Sequence, residues 1–184
     1  MHDSCYSLAL IRAAISLVMN IADTLPAIID IEASGLGHGS YPIEVGFVLP
    51  DGASYCSLIR PAPHWKHWDV SAERLHHITP QILANHGNPA LAVATTLNQR
   101  LRGRVIYSDG WANDYSWLSL LFDEVDLTPA FRLENLRLIL TEEEAALWHP
   151  TKAAVLAGMP QDRHRASIDA LVIQQTVARL RTER

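Results

Sequence analysis

The sequence has few cysteines, no excess of positive charge and no long apolar segment, and each absence excludes a class of protein. Two cysteines, Cys5 and Cys56, among 184 residues are too few for a disulfide framework, and they suit the reducing cytoplasm. The 15 Lys and Arg against 20 Asp and Glu exclude a polybasic nucleic-acid coat, although not an enzyme that neutralises phosphate with bound metal ions. Because no uncharged apolar run reaches about 18 residues, we expect no membrane span.

The length and the 48% hydrophobic content favour one packed domain. We expect this domain over residues 23–184, preceded by an N-terminal extension or helix over 1–22. Asp3 and Arg12 argue against a signal peptide there. Translation starting at Met19 is an equally good explanation, in which case residues 1–18 would not be native. An amphipathic helix is predicted in this extension from the spacing of four apolar residues, Leu8, Ile11, Ile15 and Val18.

The order of predicted elements indicates an α/β domain with a mixed sheet covered by helices. Residues 27–32 form a short apolar run that is typical of a central strand, and turn residues at 50–53 join two further strands. Three polar residues are expected to cap helices, namely Asn88, Asn113 and Thr141, the last in a capping box with Glu144. The predicted strands are 27–32, 43–49, 54–60, 104–108 and 130–135, and the predicted helices are 71–77, 80–85, 88–103, 113–122, one from 141, and 166–181.

Acidic residues inside apolar segments are the strongest functional signal. Asp30 and Glu32 are two apart in the first strand and therefore share a face. Two neighbouring carboxylates that lose hydration repel each other and need protonation, a basic partner or a metal ion. Asp114 is aligned with the apolar face of its helix, and Asp109, at the end of the preceding strand, is an alternative to it. The same pattern alone also fits a pair at the solvated end of a strand.

A last acid and a histidine occur at the start of the final helix. Asp169 leads an apolar helical segment, five residues after His164. A histidine next to such an acid can accept a proton near neutral pH, which suits a general base. By itself, however, a histidine such as His164 is more often a surface or capping residue.

Taken together, three segments resemble the motifs of the DEDDh 3′–5′ exonucleases, a superfamily that includes the proofreading subunit of bacterial DNA polymerase III, oligoribonuclease and RNase T. The stretch Leu75-His-His-Ile-Thr79 is also similar to the family's Ile-His-Gly-Ile-Thr. The resemblance implies an RNase H-like mixed sheet of about five strands flanked by helices. The three segments are Asp30-Ile-Glu-Ala-Ser-Gly-Leu36, Asp114-Tyr-Ser-Trp-Leu118 and His164-Arg-Ala-Ser-Ile-Asp169.

The resemblance also implies an activity and roles for residues. The activity is metal-dependent hydrolysis of single-stranded DNA or RNA from the 3′ end, which releases nucleoside 5′-monophosphates, and a homodimer is compatible with it. His164 would act as general base. The backbone around Ser34, Gly35 and Leu36 would seat the terminal sugar, with Leu36 beside the last base. Two Mg²⁺ or Mn²⁺ ions would be held by Asp30, Glu32, Asp114 and Asp169.

Other interpretations remain open at this point. Asp109-Gly110 stands where the family usually has His-Asn, and Asn113 stands where it usually has Phe. The alternative function is therefore a nuclease-like nucleic-acid-binding or accessory subunit without turnover. Four histidines could bind zinc, although no cysteine accompanies them. Two tryptophans could stack on bases or simply pack, and three arginines are a solvated helix end or a phosphate contact. These sets are His64, His67, His76 and His77; Trp65 and Trp68; and Arg100, Arg102 and Arg104.

Overall fold

The computed structural model describes residues 25–159 and 165–182, so the predicted 1–22 extension and His164 lie outside the described residues. A five-stranded sheet has the strand order β3-β2-β1-β4-β5. The pairs β1–β2 and β2–β3 are antiparallel, whereas β1–β4 and β4–β5 are parallel. The predicted mixed sheet of five strands is therefore confirmed. Its strands are β1 Ala27–Ala33, β2 Pro42–Val48, β3 Ser54–Leu58, β4 Val105–Ser108 and β5 Arg132–Asn135.

Helices cover the sheet. Each helix predicted within the described residues has a counterpart near its predicted position, whereas the helix at Trp148–Ala157 and the 3₁₀ helix are not predicted separately. The helices are α1 Val70–His76, α2 Pro80–His86, α3 Ala90–Leu101, α4 Trp111–Asp123, α5 Glu142–Ala146, α6 Trp148–Ala157 and α7 Ala166–Thr182, with a 3₁₀ helix at Leu136–Ile139. None of the helices in the described ranges is long and apolar enough to span a membrane.

One predicted helix cap is confirmed and two are wrong. Thr141 begins α5 in a complete capping box with Glu144. Asn88 does not cap α3, because its side-chain amide donates to the Ser57 hydroxyl at 3.0 Å. Asn113 does not cap α4, because that helix begins earlier, after Gly110, and Asn113 lies inside its first turn.

The alternation of β1 decides where its acids point. Ile29 and Ile31 are buried in the larger core, between the sheet and helices α3 and α4. Ile28 lies in the smaller core on the other face, together with apolar residues of α7 such as Ile173. Because successive strand residues alternate between faces, Asp30 and Glu32 follow Ile28 onto the face that α7 covers.

Candidate active site

Three acids from the two ends of the described chain meet at this face of the sheet. Asp30 and Glu32 of β1 lie beside Asp169, which is in the first turn of α7. Ligand oxygens of the three carboxylates all lie within 4.8 Å of one another. The sequence places Asp30 and Glu32 together by strand alternation, but the packing of α7 across the sheet is what brings Asp169 to them.

Burial and neighbouring acids raise the pKa of both Asp30 and Glu32. Burial is the main cause that raises the pKa of Asp30 well above its usual value, and the charges of Asp114, Glu32 and Asp169 add to the rise. Burial also raises the pKa of Glu32 to about 7, with contributions from Asp169 and Glu44. Neither Asp30 nor Glu32 forms a salt bridge with any residue that the structure describes. Their negative charge is therefore not neutralised by a protein cation in this part of the chain.

Asp114 lies next to this group but is not one of the three acids within 4.8 Å. It is 3% exposed in the first turn of α4, as expected from its alignment with the apolar face of that helix. Its carboxylate accepts a hydrogen bond from the Ser108 hydroxyl. Burial raises the pKa of Asp114 to about 7, against the lowering effect of the Ser108 bond. Asp114 is close enough to Asp30 for its charge to raise the pKa of Asp30.

Asp109, the alternative to Asp114, has a different environment. Nζ of Lys152 in α6 donates to its carboxylate at 2.5 Å. Asp109 also contributes to the raised pKa of Asp30, so it is near the site. Because a lysine already pairs with Asp109, Asp114 is the better candidate for a metal ligand.

The chemistry of the acids fits a divalent metal ion. Hard cations such as Mg²⁺ and Mn²⁺ take carboxylate oxygens as ligands, and the site offers these oxygens in a partly buried position. Within residues 25–159 and 165–182, no second group of three or more His, Cys, Asp or Glu side chains is arranged to hold a metal.

The predicted zinc alternative is not supported by the described histidines. Nε2 of His64 faces Glu124 at 3.2 Å, and Nδ1 of His76 accepts from the Ile78 backbone N–H at 3.0 Å. His67 lies within 3.4 Å of the Ser34 hydroxyl instead. Exposed His77 ends α1 in a left-handed conformation. The four imidazoles therefore have separate environments.

The tryptophans near these histidines have mainly structural contacts. Trp65 is buried and stacks on Tyr41 with ring centroids 5.3 Å apart, so ordinary packing, and not base stacking, describes it. Nε1 of the partly buried Trp68 donates to Glu73 at 2.7 Å. Arg100 in the last turn of α3 and Arg102 and Arg104 after it are exposed. The Arg100 guanidinium carbon lies 5.1 Å from the Tyr55 ring centroid.

The loop after β1 lies beside the acids, and each of its three predicted substrate residues has a distinct environment. Ser34 is fully buried, its backbone N–H donates to Tyr41 at 2.9 Å, and its carbonyl accepts from Asp69 at 2.8 Å. Gly35 has φ 148°, and a Cβ there would lie 2.6 Å from Cε1 of His67, so glycine is required. Leu36 is 70% exposed.

A cavity of about 270 Å³ opens next to this loop and beside Glu32. Gly35 and Leu36 line it, whereas Ser34 does not. The wall is mainly apolar. The remaining lining residues are Ile31, Ala33, Asp69, Ser71, Ala72, Leu75, His76 and Trp117.

Two further residues beside the acids, Glu44 and Arg165, have no role that is predicted from the sequence. Glu44 is fully buried on β2 and forms an ion pair with Arg165 at 2.6 Å. The signal was present, because Glu44 is an acid inside the apolar run of β2, the same anomaly that singled out Asp30.

Comparison with known proteins identifies the fold. Neither a protein-family model nor a curated protein sequence matches the chain. Among solved structures, the zinc-bound Escherichia coli exonuclease I complex with ssDNA matches with a TM-score of 0.69 and 14% identity, over 88% of this chain and 41% of that one. The predicted RNase H-like fold is confirmed, and it is the fold of the matched part of exonuclease I.

Two further structures agree. E. coli exonuclease I in complex with a dA16 oligonucleotide gives a TM-score of 0.67 at 14% identity, over 85% of this chain and 40% of that one. The moderately thermophilic exonuclease I of Methylocaldum szegediense gives a TM-score of 0.63 at 17% identity, over 86% of this chain and 40% of that one. The resemblance to DEDDh exonucleases is thus confirmed at the level of the fold. The chain spans about two fifths of the length of these exonuclease I chains.

Proposed function

We propose that this chain is a metal-dependent 3′–5′ exonuclease that hydrolyses single-stranded or short nucleic acid to nucleoside 5′-monophosphates. The observation that carries the proposal is the meeting of Asp30, Glu32 and Asp169 within 4.8 Å, with Asp114 beside Asp30. Carboxylates that are desolvated and repel one another are costly unless a bound ligand neutralises them, and such groups are concentrated at functional sites. The exonuclease I fold is independent support, because solved complexes of that protein contain ssDNA.

Asp30, Glu32, Asp114 and Asp169 are the side chains that would hold two Mg²⁺ or Mn²⁺ ions. Such ions, when bound, stabilise charge on the attacked phosphate, the attacking water and the leaving oxygen. His164, two residues before α7 in the sequence, would accept the proton of the attacking water at an imidazole nitrogen. Ser108 would hold the Asp114 carboxylate in place through its hydroxyl.

The cavity beside Glu32 favours attack at a strand end. Ligand pockets usually enclose roughly 300–1,000 Å³, so a cavity of about 270 Å³ matches a single nucleoside better than a duplex. A terminal base would lie against Leu36, Leu75 and Trp117, and its sugar near the backbone of Gly35. Burying the exposed Leu36 side chain under a base would contribute favourable binding energy.

The proposal is tested by incubating the purified chain with 5′-labelled and 3′-labelled single-stranded DNA and RNA oligomers in Mg²⁺ or Mn²⁺. We expect labelled mononucleotide from the 3′-labelled strand and a ladder of shortened products from the 5′-labelled strand. EDTA and the Asp30→Asn variant are the controls, and both should stop the reaction. Comparing the DNA and RNA rates gives the sugar preference, which depends on contacts to the 2′-hydroxyl. Oligomers that are retained in a mobility shift but stay uncut with either metal would favour the non-catalytic binding subunit.

A further inference from the structure

One buried acid outside the metal-binding group holds the start of helix α7. Glu44 of β2 lies directly opposite Glu32 of β1 and is fully buried. Its Oε1 accepts from Nε of Arg165 at 2.8 Å and lies 2.6 Å from Nη2 of the same guanidinium. Its Oε2 accepts from the backbone N–H of Ala166 at 2.8 Å. One strand carboxylate is thus fastened to the last residue before α7 and to the first residue of that helix.

The backbone of β2 lies against the same turn. A Cβ on Gly46 would be 2.1 Å from the backbone N of Ser167 and 2.4 Å from the carbonyl carbon of Ala166. Glycine at this position therefore lets the first turn of α7 lie directly on the strand. Gly46 is also the register partner of Asp30. The start of α7 is consequently located against the residues that pair with the metal-binding acids of β1.

From these contacts we infer that Glu44 and Arg165 are positioning residues that set Asp169 at ligand distance from Asp30 and Glu32. The connection to Asp169 is direct, because its backbone N–H donates to the carbonyl of Arg165 at 3.0 Å. A shift of Arg165 would therefore shift the turn that carries Asp169. The inference rests on the metal site of the proposed function, and it assigns a role to residues that contact none of the reacting groups.

Stability alone does not account for this pair. Replacing a buried ion pair by well-packed apolar residues is often neutral or stabilising, so the presence of such a pair is weak evidence of a stabilising role. The pair is better explained by geometry, because a guanidinium bonded at two nitrogens fixes direction as well as distance. The guanidinium also compensates part of the charge of Glu44, an acid that contributes to the raised pKa of Glu32.

The test measures Mn²⁺ binding by calorimetry in the metal-free full chain, so it does not depend on hydrolysis. We expect Glu44→Gln and Arg165→Met to weaken Mn²⁺ binding by about 10–100-fold, the usual effect of losing a group that orients a metal ligand. Arg165→Lys keeps the cation but loses the planar fork, and should recover part of the affinity.

The matched control is Gln174→Met, on the same helix. Gln174 is buried, and its side-chain amide donates to the carbonyls of Pro26 and Leu49 at 2.8 and 3.0 Å. Its loss should lower the melting temperature without changing Mn²⁺ affinity. If the role of Glu44 were only structural, Glu44→Gln would likewise lower the melting temperature and leave the Mn²⁺ affinity unchanged.

Equal Mn²⁺ affinities for Glu44→Gln, Gln174→Met and the wild type would overturn the positioning role. If Glu44→Gln fails to fold, the Arg165 variants decide, since that side chain is 50% exposed and its loss is easier to accommodate. A wild-type chain that binds Mn²⁺ but cleaves nothing would remove the proposed function and leave this test valid. A wild-type chain that binds no Mn²⁺ would overturn the positioning role as well.

Discussion

Glu32 of β1 and Glu44 of β2 are register partners in the sheet, but the surroundings of their carboxylates differ. Glu44 is paired with Arg165. Glu32 forms no salt bridge with a described residue, and burial together with the nearby charges, Glu44 among them, raises its pKa to about 7. Arg165 thus neutralises Glu44, whereas no cation of the described residues neutralises Glu32, which is the acid proposed to bind a metal ion. Metal binding and apo-state stability should therefore oppose each other at this site.

Asp30→Asn should abolish Mg²⁺-dependent hydrolysis and stabilise the metal-free protein. The substitution removes a ligand but also removes the desolvated charge that repels Asp114, Glu32 and Asp169. We expect the free energy of unfolding in EDTA to rise by about 1 kcal/mol, as is common when a functional site loses strain. Hydrolysis assays and thermal unfolding in EDTA measure the two effects. Hydrolysis at the wild-type rate would contradict the assignment of Asp30 as a ligand.

Glu32→Ala and Asp169→Ala offer a parallel check, because each removes a different member of the group within 4.8 Å. Both should abolish hydrolysis while the far-ultraviolet circular dichroism spectrum stays that of the folded chain.

The stability of the metal-free protein should fall as the pH rises from about 4 to above 7. The pKa of Glu32 increases from 4.5 to about 7 on folding, and that of Asp114 from 3.8 to about 7. The folded state therefore binds more protons than the unfolded state in this range, and the stability gained from them is lost as each folded-state pKa is passed. Melting temperatures in EDTA at pH 5 and pH 8 should show the decline.

Saturating Mn²⁺ should reverse this trend, because metal ions bind the deprotonated carboxylates and so stabilise the folded state more at higher pH. The Asp30→Asn variant is the control, and its melting temperature should respond less to Mn²⁺. Identical pH dependence in EDTA and in Mn²⁺ would argue against a metal bound to these acids.

His164→Ala should lower kcat by about 10²–10⁴-fold, the usual contribution of a general base, while Mn²⁺ affinity stays at the wild-type value. Calorimetry and single-turnover kinetics separate the two effects. Unchanged turnover would eliminate His164 as the base.

Leu36→Ala should raise KM for single-stranded oligomers without affecting stability. The side chain is 70% exposed in the free protein, so its truncation removes little buried surface. Loss of a contact with the terminal base should cost about 1–2 kcal/mol, or roughly 5–30-fold in KM. Leu91→Ala, another exposed leucine that does not line the cavity, is the matched control and should change neither quantity. Equal KM values for the two variants would exclude the role of Leu36.

His77→Gly should stabilise the protein by about 0.5–1 kcal/mol. His77 is exposed and ends α1 with φ 56°, a left-handed conformation that is unfavourable for a side chain with a Cβ. The gain is limited because glycine has more freedom in the unfolded chain. Thermal unfolding should show a rise of roughly 1–4 °C. His77→Ala retains the Cβ and should give no increase in the melting temperature. A larger increase for His77→Ala than for His77→Gly would contradict the explanation.

Much of the secondary structure could be predicted from local patterns, and the two wrong helix caps have different causes. Asn88 and Asn113 are good capping residues by type, yet neither caps a helix. Asn88 bonds to Ser57, which is distant in sequence, and α4 begins before Asn113, directly after Gly110. The bond to Ser57 cannot be recognised from the residues next to Asn88, and the earlier start of α4 leaves Asn113 inside the helix and not at its cap.

The sequence by itself determined that Asp30 and Glu32 share one face of a strand and that Asp114 points inward from its helix, because the periods of two and 3.6 residues are local properties of the backbone. Tertiary structure decided which distant groups these acids meet. The packing of α7 across the sheet places Asp169 beside β1. Asp109 forms an ion pair with Lys152 and Glu44 forms one with Arg165, whereas Glu32 has no described cation as a partner. Electrostatic interactions act through space, so the environment of a carboxylate is fixed only when the segments that carry its neighbours have packed.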